Sequence, residues 1–408
     1  MERVVPEIAG GNWLNGKKIF LGDQAACSKC HVFGKAGHKI GPDLSNLLHR
    51  DYASVMKDIR EPNAAINPDH IAYNVELKNG ESLSGVLIGS SEMESKFADA
   101  SGKITALSKS QIASMKPSTL SLMPEGLIEP LSEQQRKDLL TFLLMPPPLE
   151  PAPLEKEGEP TPRKLSEINA FLKNEGAVST KHLKIVLCAG PKDHGPGEHD
   201  YPLWQKRWVK LFTLAQGVSV ETADVWPTAE QMNKADVIVF YSNNPGWSAE
   251  RASELDKFLN RGGGAVYIHY AVDGHKHCDE LAQRIGLAWR GGASKFRHGA
   301  LDLKFLPHPI SEGFSSAGFI DESYWQLIGS EKNIQILASG IEEGKPQPLM
   351  WMREQGKGRV FVSIPGHYNW TFDDPLFRLL IFRGIAWSAH DSLDRFNDLL
   401  TIGARVGE

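Results

Sequence analysis

The pattern of hydrophobic and polar positions differs between the two halves of the chain. Residues 15–20 and 131–142 carry apolar side chains at helical spacing. Between them, residues 70–116 alternate apolar and polar side chains and include an Asn-Gly pair, which is typical of a hairpin turn. The pattern predicts a mainly α-helical domain over residues 1–145 that carries a small antiparallel β insertion.

From residue 183 onward, buried-type strands alternate with amphipathic helices. The predicted strands are 183–190, 218–223, 235–242, 265–270 and 358–364, and the predicted helices are 204–215, 248–260 and 375–389. Such alternation indicates a parallel sheet with helices on both faces. We therefore expect a second, α/β domain over residues 181–408, which makes the protein multidomain.

A proline-dense stretch separates the two patterns. Residues 145–162 read MPPPLEPAPLEKEGEPTP, in which proline is too frequent for a helix or an interior strand. We interpret residues 146–180 as a semi-rigid linker followed by a lead-in helix.

Composition and charge exclude several classes of protein. The 408 residues are 41% hydrophobic and 23% charged, which is ordinary for a globular protein. A formal net charge of −5 gives no nucleic-acid-binding footprint. Because no apolar run approaches 18 residues, we expect no transmembrane segment.

One pentapeptide points to a cofactor. Cys27, Cys30 and His31 form a C-x-x-C-H sequence, the attachment signature of a c-type haem. Two thiols at this spacing can form thioethers to one porphyrin, and the adjacent imidazole can bind the iron as its proximal ligand. The alternatives are a redox dithiol or half of a zinc site, but the remaining cysteines, Cys188 and Cys278, lie far away in the sequence.

The sixth ligand of the iron is predicted to be Met123. It precedes a proline in an irregular segment just before the last helix of the domain. A gap-filling methionine is the alternative role. Weaker candidates are Met56, Met93, Met115 and Met145, and a bis-histidine iron would use His38, His49 or His70.

Residues 10–145 resemble the haem-binding domain found in Planctomycetes and Verrucomicrobia. The shared features are the GPDL turn at 41–44, the β insertion and the LSLMPEGL segment at 120–127. The resemblance implies a class I cytochrome c with Met123 as the presumed axial ligand, an electron-transfer role and a redox partner protein. Because haem c is attached outside the cytoplasm, we also expect the protein to be periplasmic or otherwise exported, although residues 1–6 are no signal peptide. We expect the sequence to be a piece of a longer exported protein, or to have a wrongly assigned start.

Histidines follow the predicted strands of the second domain. His194 and His199 come after the first strand, His269 ends the fourth, and His367 follows the last. Because the carboxyl ends of parallel strands share one edge of the sheet, these histidines are predicted to converge on a site.

The second domain resembles the ThuA-like (trehalose utilisation) family. The matching stretches are 262–273, 321–324, 358–361, 365–367 and 374–387. The resemblance implies a flavodoxin-like, class I glutamine amidotransferase-like topology and a role in carbohydrate metabolism. The amidotransferase nucleophile is missing, because the strand ends in His269 and the next cysteine is Cys278. Glutamine hydrolysis is therefore not expected.

Two chemistries remain open for this site, with His269, Glu322, His367 and His194 as the candidate catalytic residues. His269, His367 and either His194 or His199, with Glu322, could bind a zinc-like ion. Alternatively, His269 and Glu322 could exchange protons with a sugar without a metal. His298 is a further candidate, and a sugar-stacking wall is predicted from Trp204, Tyr324, Trp325, Tyr368 and Trp370.

Three functional hypotheses follow. The first is an exported haem c electron-transfer protein whose ThuA-like domain processes a sugar or keto-sugar. The second is an electron carrier whose ThuA-like domain only docks a carbohydrate or a partner. The third is a haem-based sensor, which requires that Met123 does not bind the iron.

Overall fold

The computed structural model describes residues 3–34, 36–153, 155, 158, 160–172, 179 and 181–407. They form two compact units that divide between Pro147 and Pro148. No helix in these described ranges is both long and apolar enough to cross a membrane.

The first unit contains three α-helices in its described part. They are α1 (Trp13–Leu21), α2 (Tyr52–Arg60) and α3 (Glu133–Leu144). A capping box starts α3, because Ser132 and Gln135 each accept a hydrogen bond from the other's backbone N–H. α1 and α3 cross closely at Gly16, where a Cβ would lie 1.9 Å from the carbonyl oxygen of Asp138. Both predicted helices of this half are therefore present.

An antiparallel sheet lies between α2 and α3. Its strands, all within described residues, are β1 (Ala72–Leu77), β2 (Ser82–Ser90), β3 (Glu94–Ala98), β4 (Ile104–Ser108) and β5 (Ile112–Pro117). Their order in the sheet is β4-β3-β2-β1-β5. The expectation of a mainly α domain needs correction: the sheet has its own apolar cluster around Val75, Phe97 and Leu107, so the unit is α+β.

The second unit is built on one mixed sheet. Its strands among the described residues are β6 (Leu183–Ala189), β7 (Val218–Asp224), β8 (Val237–Tyr241), β9 (Gly264–Ile268), β10 (Lys295–Phe305), β11 (Ser316–Trp325), β12 (Gln335–Glu342), β13 (Lys345–Gln355) and β14 (Gly358–Ser363). Their order is β7-β6-β8-β9-β14-β13-β12-β10-β11. The first five strands in this order are parallel, and pairing from β14 onward is antiparallel.

Helices connect the parallel strands of this unit. The described helices are α4 (Leu165–Asn169), α5 (Tyr201–Phe212), α6 (Ala229–Lys234), α7 (Ala249–Asn260), α8 (Cys278–Ile285) and α9 (Pro375–Ser388). The βαβ pattern predicted for this half is confirmed for the parallel part of the sheet. The prediction of an all-parallel sheet was wrong, because β10 to β13 are antiparallel strands that the sequence pattern did not reveal. Of these strands, β10 alternates buried and exposed residues, as in Leu301, Asp302, Leu303 and Lys304.

From Pro148 onward, the proline-rich segment belongs to the second unit. The backbone N–H of Ala152 donates to Asp373, 2.6 Å away, and Arg163 lies 2.9 Å from Asp374. Arg163–Lys164 also pairs with Val406–Gly407 as a short parallel bridge. The residues next to the prolines keep their backbone donors and acceptors. In this segment, such groups form hydrogen bonds with the rest of the second unit. Much of the remaining predicted linker, including residues 173–178, lies outside the described residues.

Candidate metal centre

Three histidines lie at the carboxyl edge of the parallel strands. His269 directly follows β9, His367 follows β14, and His199 lies in the loop between β6 and α5. Because parallel strands end at one edge of the sheet, three separate loops bring these side chains together. Glu322 joins them from β11, in the antiparallel half of the same sheet.

The four side chains meet around one point. His269 Nε2 lies 2.8 Å from His199 Nε2, 3.2 Å from His367 Nδ1 and 3.1 Å from Glu322 Oε2. His367 Nδ1 lies 3.0 Å from Glu322 Oε2. All four residues are buried, and their converging atoms lie within 4.8 Å of one another.

The nitrogen of each ring that faces away from the cluster lies near an oxygen. His269 Nδ1 is 2.6 Å from the carbonyl oxygen of Ile364, and His199 Nδ1 is 2.9 Å from Asp193 Oδ1. His367 Nε2 is 3.5 Å from Glu198 Oε1. Hydrogen-bonded oxygen partners, which His269 and His199 have, orient metal-binding imidazoles and fix which nitrogen carries the proton. His367 Nε2 makes no hydrogen bond to any described residue.

Backbone geometry at two of the histidines is unusual. His269 has φ of 55° and His199 has φ of 43°, in the left-handed region that non-glycine residues rarely adopt. His269 occupies a sharp turn from a strand into a 3₁₀ helix, the position that holds the nucleophile in many α/β hydrolases. Strained backbone of this kind concentrates at functional sites.

The donor set fits a zinc-like ion. His269 Nδ1 faces the carbonyl oxygen of Ile364, and His199 Nδ1 lies 2.9 Å from Asp193 Oδ1 and 2.8 Å from the Tyr201 hydroxyl. When Asp193 accepts the Nδ1 proton of His199, the Nε2 atoms of the two neutral rings present lone pairs to each other. At 2.8 Å these lone pairs repel unless a proton or a cation lies between them. Three imidazole nitrogens and one carboxylate oxygen are ligands that suit Zn²⁺.

Two residues of the cluster have shifted pKa values. Burial lowers the pKa of His199 to about 3, which leaves its ring neutral at physiological pH. Burial alone raises the pKa of Glu322, but hydrogen bonds and charge interactions with His269 and His367 outweigh it and hold that pKa well below its usual range. For Asp193, burial is likewise outweighed by hydrogen bonds from His199 and His194, and its pKa is lowered.

His298 lies at the mouth of the cluster. Its Nε2 is 3.3 Å from Glu322 Oε1, the carboxylate oxygen that does not face the other histidines. Its Nδ1 is 2.8 Å from the hydroxyl of Tyr368. Because 42% of its side chain is exposed, His298 connects the buried cluster to solvent, as a proton-transferring residue must.

The structure brings together three of the four candidate catalytic residues. His269, Glu322 and His367 form the cluster, and its third histidine is His199 rather than His194. His194 is exposed, bonds Asp193 at 2.8 Å and packs its ring 3.8 Å from that of His199. Sequence reasoning did not identify Asp193 or Glu198, although both stand in the same histidine-containing loop.

The aromatic residues predicted to form a sugar-stacking wall do not form an exposed surface. All five of its aromatic residues are buried: Trp204, Tyr324, Trp325, Tyr368 and Trp370. Trp204 packs in the core against Trp208 and Tyr241, with centroid distances of 5.5 and 5.3 Å. Tyr324 has a different role, because its hydroxyl lies 2.9 Å from His269 Nε2.

The C-x-x-C-H segment of the first unit is locally well organised. Cys27–Lys29 forms one 3₁₀ turn, and Cys27 and Cys30 are unpaired thiols. His31 Nδ1 lies 2.8 Å from the carbonyl oxygen of Pro42. Gly41 packs against the His31 ring, where a Cβ would lie 2.6 Å from Cε1. The GPDL turn therefore holds the imidazole and leaves its Nε2 available to a ligand.

The predicted axial methionine lies in a loop near these residues. Met123 is half-buried, and its backbone N–H donates to Ser121 Oγ at 3.1 Å. The adjacent Leu122 packs in the same apolar cluster as Cys30 and Ile40. His70 also lies in this region, with Nδ1 2.8 Å from the carbonyl oxygen of Ile40.

Comparison with known proteins identifies the second unit. Residues 194–388 match the ThuA family profile, described as "Trehalose utilisation". All four residues of the cluster fall within this range. No curated protein matches the chain. The second unit therefore contains a ThuA-like α/β domain, as the sequence resemblance implied.

Several solved structures are similar to part of the chain. A putative ThuA-like protein from Parabacteroides merdae is 20% identical, with a TM-score of 0.41, over 51% of this chain and 90% of that chain. A putative ThuA-like protein from Bacteroides uniformis is 16% identical, with a TM-score of 0.42, over 54% and 98%. A β-galactosidase from Bacillus circulans sp. alkalophilus is 12% identical, with a TM-score of 0.34, over 46% and 29%.

Proposed function

We propose that the ThuA-like domain is a metal-dependent enzyme that converts a sugar or keto-sugar. The observation that carries this proposal is the 2.8 Å approach of the Nε2 atoms of His199 and His269, whose Nδ1 atoms already face oxygen acceptors. A buried arrangement of this kind is costly unless a proton or a cation lies between the two nitrogens, because lone pairs otherwise face each other away from water, and the proposal places a cation there.

His199, His269, His367 and Glu322 would hold the ion. When bound, a zinc-like ion supplies a Lewis acid that polarises a carbonyl oxygen or activates water. The surrounding residues have separate tasks: Asp193 orients His199, and the carbonyl of Ile364 orients His269. His298, whose Nε2 lies 3.3 Å from Glu322 Oε1, exchanges the proton between substrate and solvent.

The test is sugar conversion by the full chain with and without metal. Zinc-loaded protein is incubated with trehalose, glucose and their 3-keto derivatives, and products are separated by chromatography. We expect conversion that disappears on chelation and in His367→Gln, while the exposed His182→Gln control retains it. Sugar binding without any conversion would favour the non-catalytic docking module instead.

We also propose that the first unit carries one covalent haem c and transfers electrons to a redox partner protein. Cys27 and Cys30 would attach the porphyrin, and His31 and Met123 would bind the iron. The support is the C-x-x-C-H turn, the His31 hydrogen bond to Pro42 and the position of Leu122 beside Cys30. Since haem c is attached outside the cytoplasm, this assignment carries with it the proposal that the protein is exported.

The haem proposal is tested on protein expressed with a cytochrome c maturation system. A covalent haem spectrum that is lost in Cys30→Ser is the expected result. Met123→Ala should abolish low-spin Met/His ligation, and His70→Ala should not. The reverse outcome would assign the sixth position to His70, and a five-coordinate wild-type iron would favour the sensor.

A further inference from the structure

One hydroxyl group at the cluster has no role in the proposal so far. Tyr324 lies on β11 two residues after Glu322, so both side chains point to the same face of the sheet. The Tyr324 hydroxyl lies 2.9 Å from His269 Nε2, the same atom that lies 2.8 Å from His199 Nε2. The proposed ligands offer lone pairs at this point, whereas the phenol of Tyr324 offers a hydrogen.

Packing holds the Tyr324 ring in one position. Only 3% of the residue is exposed. Its ring stacks on that of His269, with centroids 4.8 Å and planes 28° apart, and meets the Trp289 ring at 4.6 Å. A buried ring between close-packed aromatic neighbours has little room to change its rotamer. The hydroxyl oxygen is therefore fixed at the cluster, and only its hydrogen can turn.

Burial also favours the neutral form of this hydroxyl. The pKa of Tyr324 is raised well above its usual value, first by burial and then by the negative charge of Glu322. A neutral phenol retains its hydrogen and can donate it to an oxygen acceptor. The environment of Tyr324 thus suits a hydrogen-bond donor better than a phenolate ligand.

An ion at the cluster would take the present acceptor of this hydrogen. His269 Nδ1 faces the carbonyl oxygen of Ile364, so the neutral ring carries its lone pair on Nε2, next to the Tyr324 hydroxyl. The proposed metal site uses that same lone pair. A lone pair that binds a cation cannot also accept a hydrogen bond. The Tyr324 hydroxyl then needs another acceptor, because a buried donor without one is costly.

The carboxylate of Glu322 is the nearby acceptor within the protein, but other residues already occupy both of its oxygens. Oε2 lies 3.1 Å from His269 Nε2 and 3.0 Å from His367 Nδ1. Oε1 lies 3.3 Å from His298 Nε2. An oxygen atom of a bound substrate would supply the acceptor that these contacts leave open.

We propose that Tyr324 is a catalytic residue whose hydroxyl donates a hydrogen bond to the substrate oxygen that enters the cluster. This inference rests on the proposed function and adds a donor at the buried side of the site. His298, which is partly exposed, exchanges protons with solvent, whereas Tyr324 stabilises negative charge that develops on the substrate oxygen. A donor that is fixed before the reaction stabilises such charge without reorganisation.

The test measures metal binding and the binding of an oxygen-donor probe separately, on the full chain expressed without haem maturation. Cobalt(II) replaces zinc, so the binding of acetohydroxamate is followed in the visible spectrum. Tyr324→Phe removes the hydroxyl and keeps the ring. We expect the variant to bind acetohydroxamate about ten- to hundredfold more weakly, as for the loss of one hydrogen bond to a charged group. Cobalt affinity should change by less than about threefold.

Turnover gives a second readout. For a sugar that the wild type converts, Tyr324→Phe should lower kcat about 10²–10³-fold, as for the loss of one fixed donor, with a smaller change in KM. Tyr267→Phe is the matched control, because Tyr267 is buried in β9 and its hydroxyl makes no hydrogen bond to any described residue. This control should leave cobalt binding, acetohydroxamate binding and kcat unchanged.

The possible results separate this inference from the proposed function. Equal acetohydroxamate binding by the wild type and Tyr324→Phe would overturn the inference and retain the metal site. Loss of cobalt binding in Tyr324→Phe, at an unchanged unfolding temperature, would overturn it by making the hydroxyl a ligand. A wild-type chain that binds neither cobalt nor zinc would reject the proposed function and this inference together, because Tyr324 would then keep His269 as its acceptor.

Discussion

His199 Nε2 lies 2.8 Å from His269 Nε2, and Nδ1 of each ring already has an oxygen partner. The two rings are thus positioned by their outer partners before any ion binds. Such preorganisation lowers the cost of assembling a metal site, because little side-chain freedom remains to be lost.

The first prediction concerns the ligands. The full chain should bind one equivalent of Zn²⁺ in the second unit, and binding should raise the unfolding temperature. His269→Gln should weaken zinc binding by more than the 10–100-fold expected for loss of an outer partner. Zinc affinity is measured by competition with a chromophoric chelator.

The control for this experiment is His182→Gln, which changes an exposed histidine of the same unit. Because the haem proposal concerns a different metal, the experiment uses protein expressed without haem maturation. Wild-type affinity in His269→Gln would remove the basis of the metal assignment.

The second prediction concerns Asp193, which contacts His199 but is not one of the four proposed ligands. Asp193→Ala removes the carboxylate 2.9 Å from His199 Nδ1 and lets the ring change its tautomer and orientation. We expect zinc affinity to fall about 10–100-fold. Asp302→Ala, at an exposed position of β10, should leave it unchanged. If both variants behave alike, the outer partner does not position His199.

The sequence pattern was sufficient to place the histidines that follow the parallel strands. The strands that precede His269 and His367 can be recognised because they are continuous apolar runs bounded by glycines and turns. The carboxyl ends of such strands are where ligands bind in this architecture. Pattern alone therefore placed both histidines at one edge of the sheet.

The choice between His194 and His199 could not be made in the same way. Both stand in one loop, and the outcome depends on a left-handed backbone at His199 and on its contact with Asp193. Glu322 presented a similar difficulty, since it lies on β11 among the antiparallel strands that the pattern missed. Its candidacy came from the family resemblance, which carries information about tertiary contacts that periodicity lacks.

The third prediction is a pH dependence of stability in the metal-free protein. Burial lowers the pKa of His199 to about 3 in the folded state, whereas an unfolded histidine titrates near about 6.5. Between these values the unfolded chain binds more protons, so the free energy of unfolding falls as the pH decreases from 7 to 5. The slope from this group is at most about 1.4 kcal/mol per pH unit.

Denaturant unfolding at pH 7, 6 and 5 measures this effect. The variant His199→Gln should lose part of the slope. The lowered pKa values of Glu322 and Asp193 act in the same direction, but at pH values near and below the ordinary range of carboxyl groups. An identical slope in wild type and His199→Gln would mean that His199 is not buried in its neutral form.

The fourth prediction addresses the proposed haem site through the packing of Gly41 on His31. A Cβ at position 41 would lie 2.6 Å from His31 Cε1 and 2.9 Å from Nδ1, too close for either atom. Gly41→Ala must therefore displace the imidazole and disturb its hydrogen bond to Pro42. We expect the variant to acquire haem at Cys27 and Cys30 but to show a weakened His–iron bond, measured as a shifted reduction potential and a partly high-spin optical spectrum.

Gly89→Ala is the matched control, because Gly89 has open space around its Cα and no left-handed φ. It should give the wild-type spectrum and potential.

Three outcomes are informative. A disturbed iron only in Gly41→Ala supports His31 as the proximal ligand held by the GPDL turn. Wild-type spectra in both variants would show that the His31 ring does not bind the iron in the position seen here. Absence of covalent haem from the wild-type protein itself would reject the cytochrome assignment, and the thiols of Cys27 and Cys30 would then be read as a redox pair.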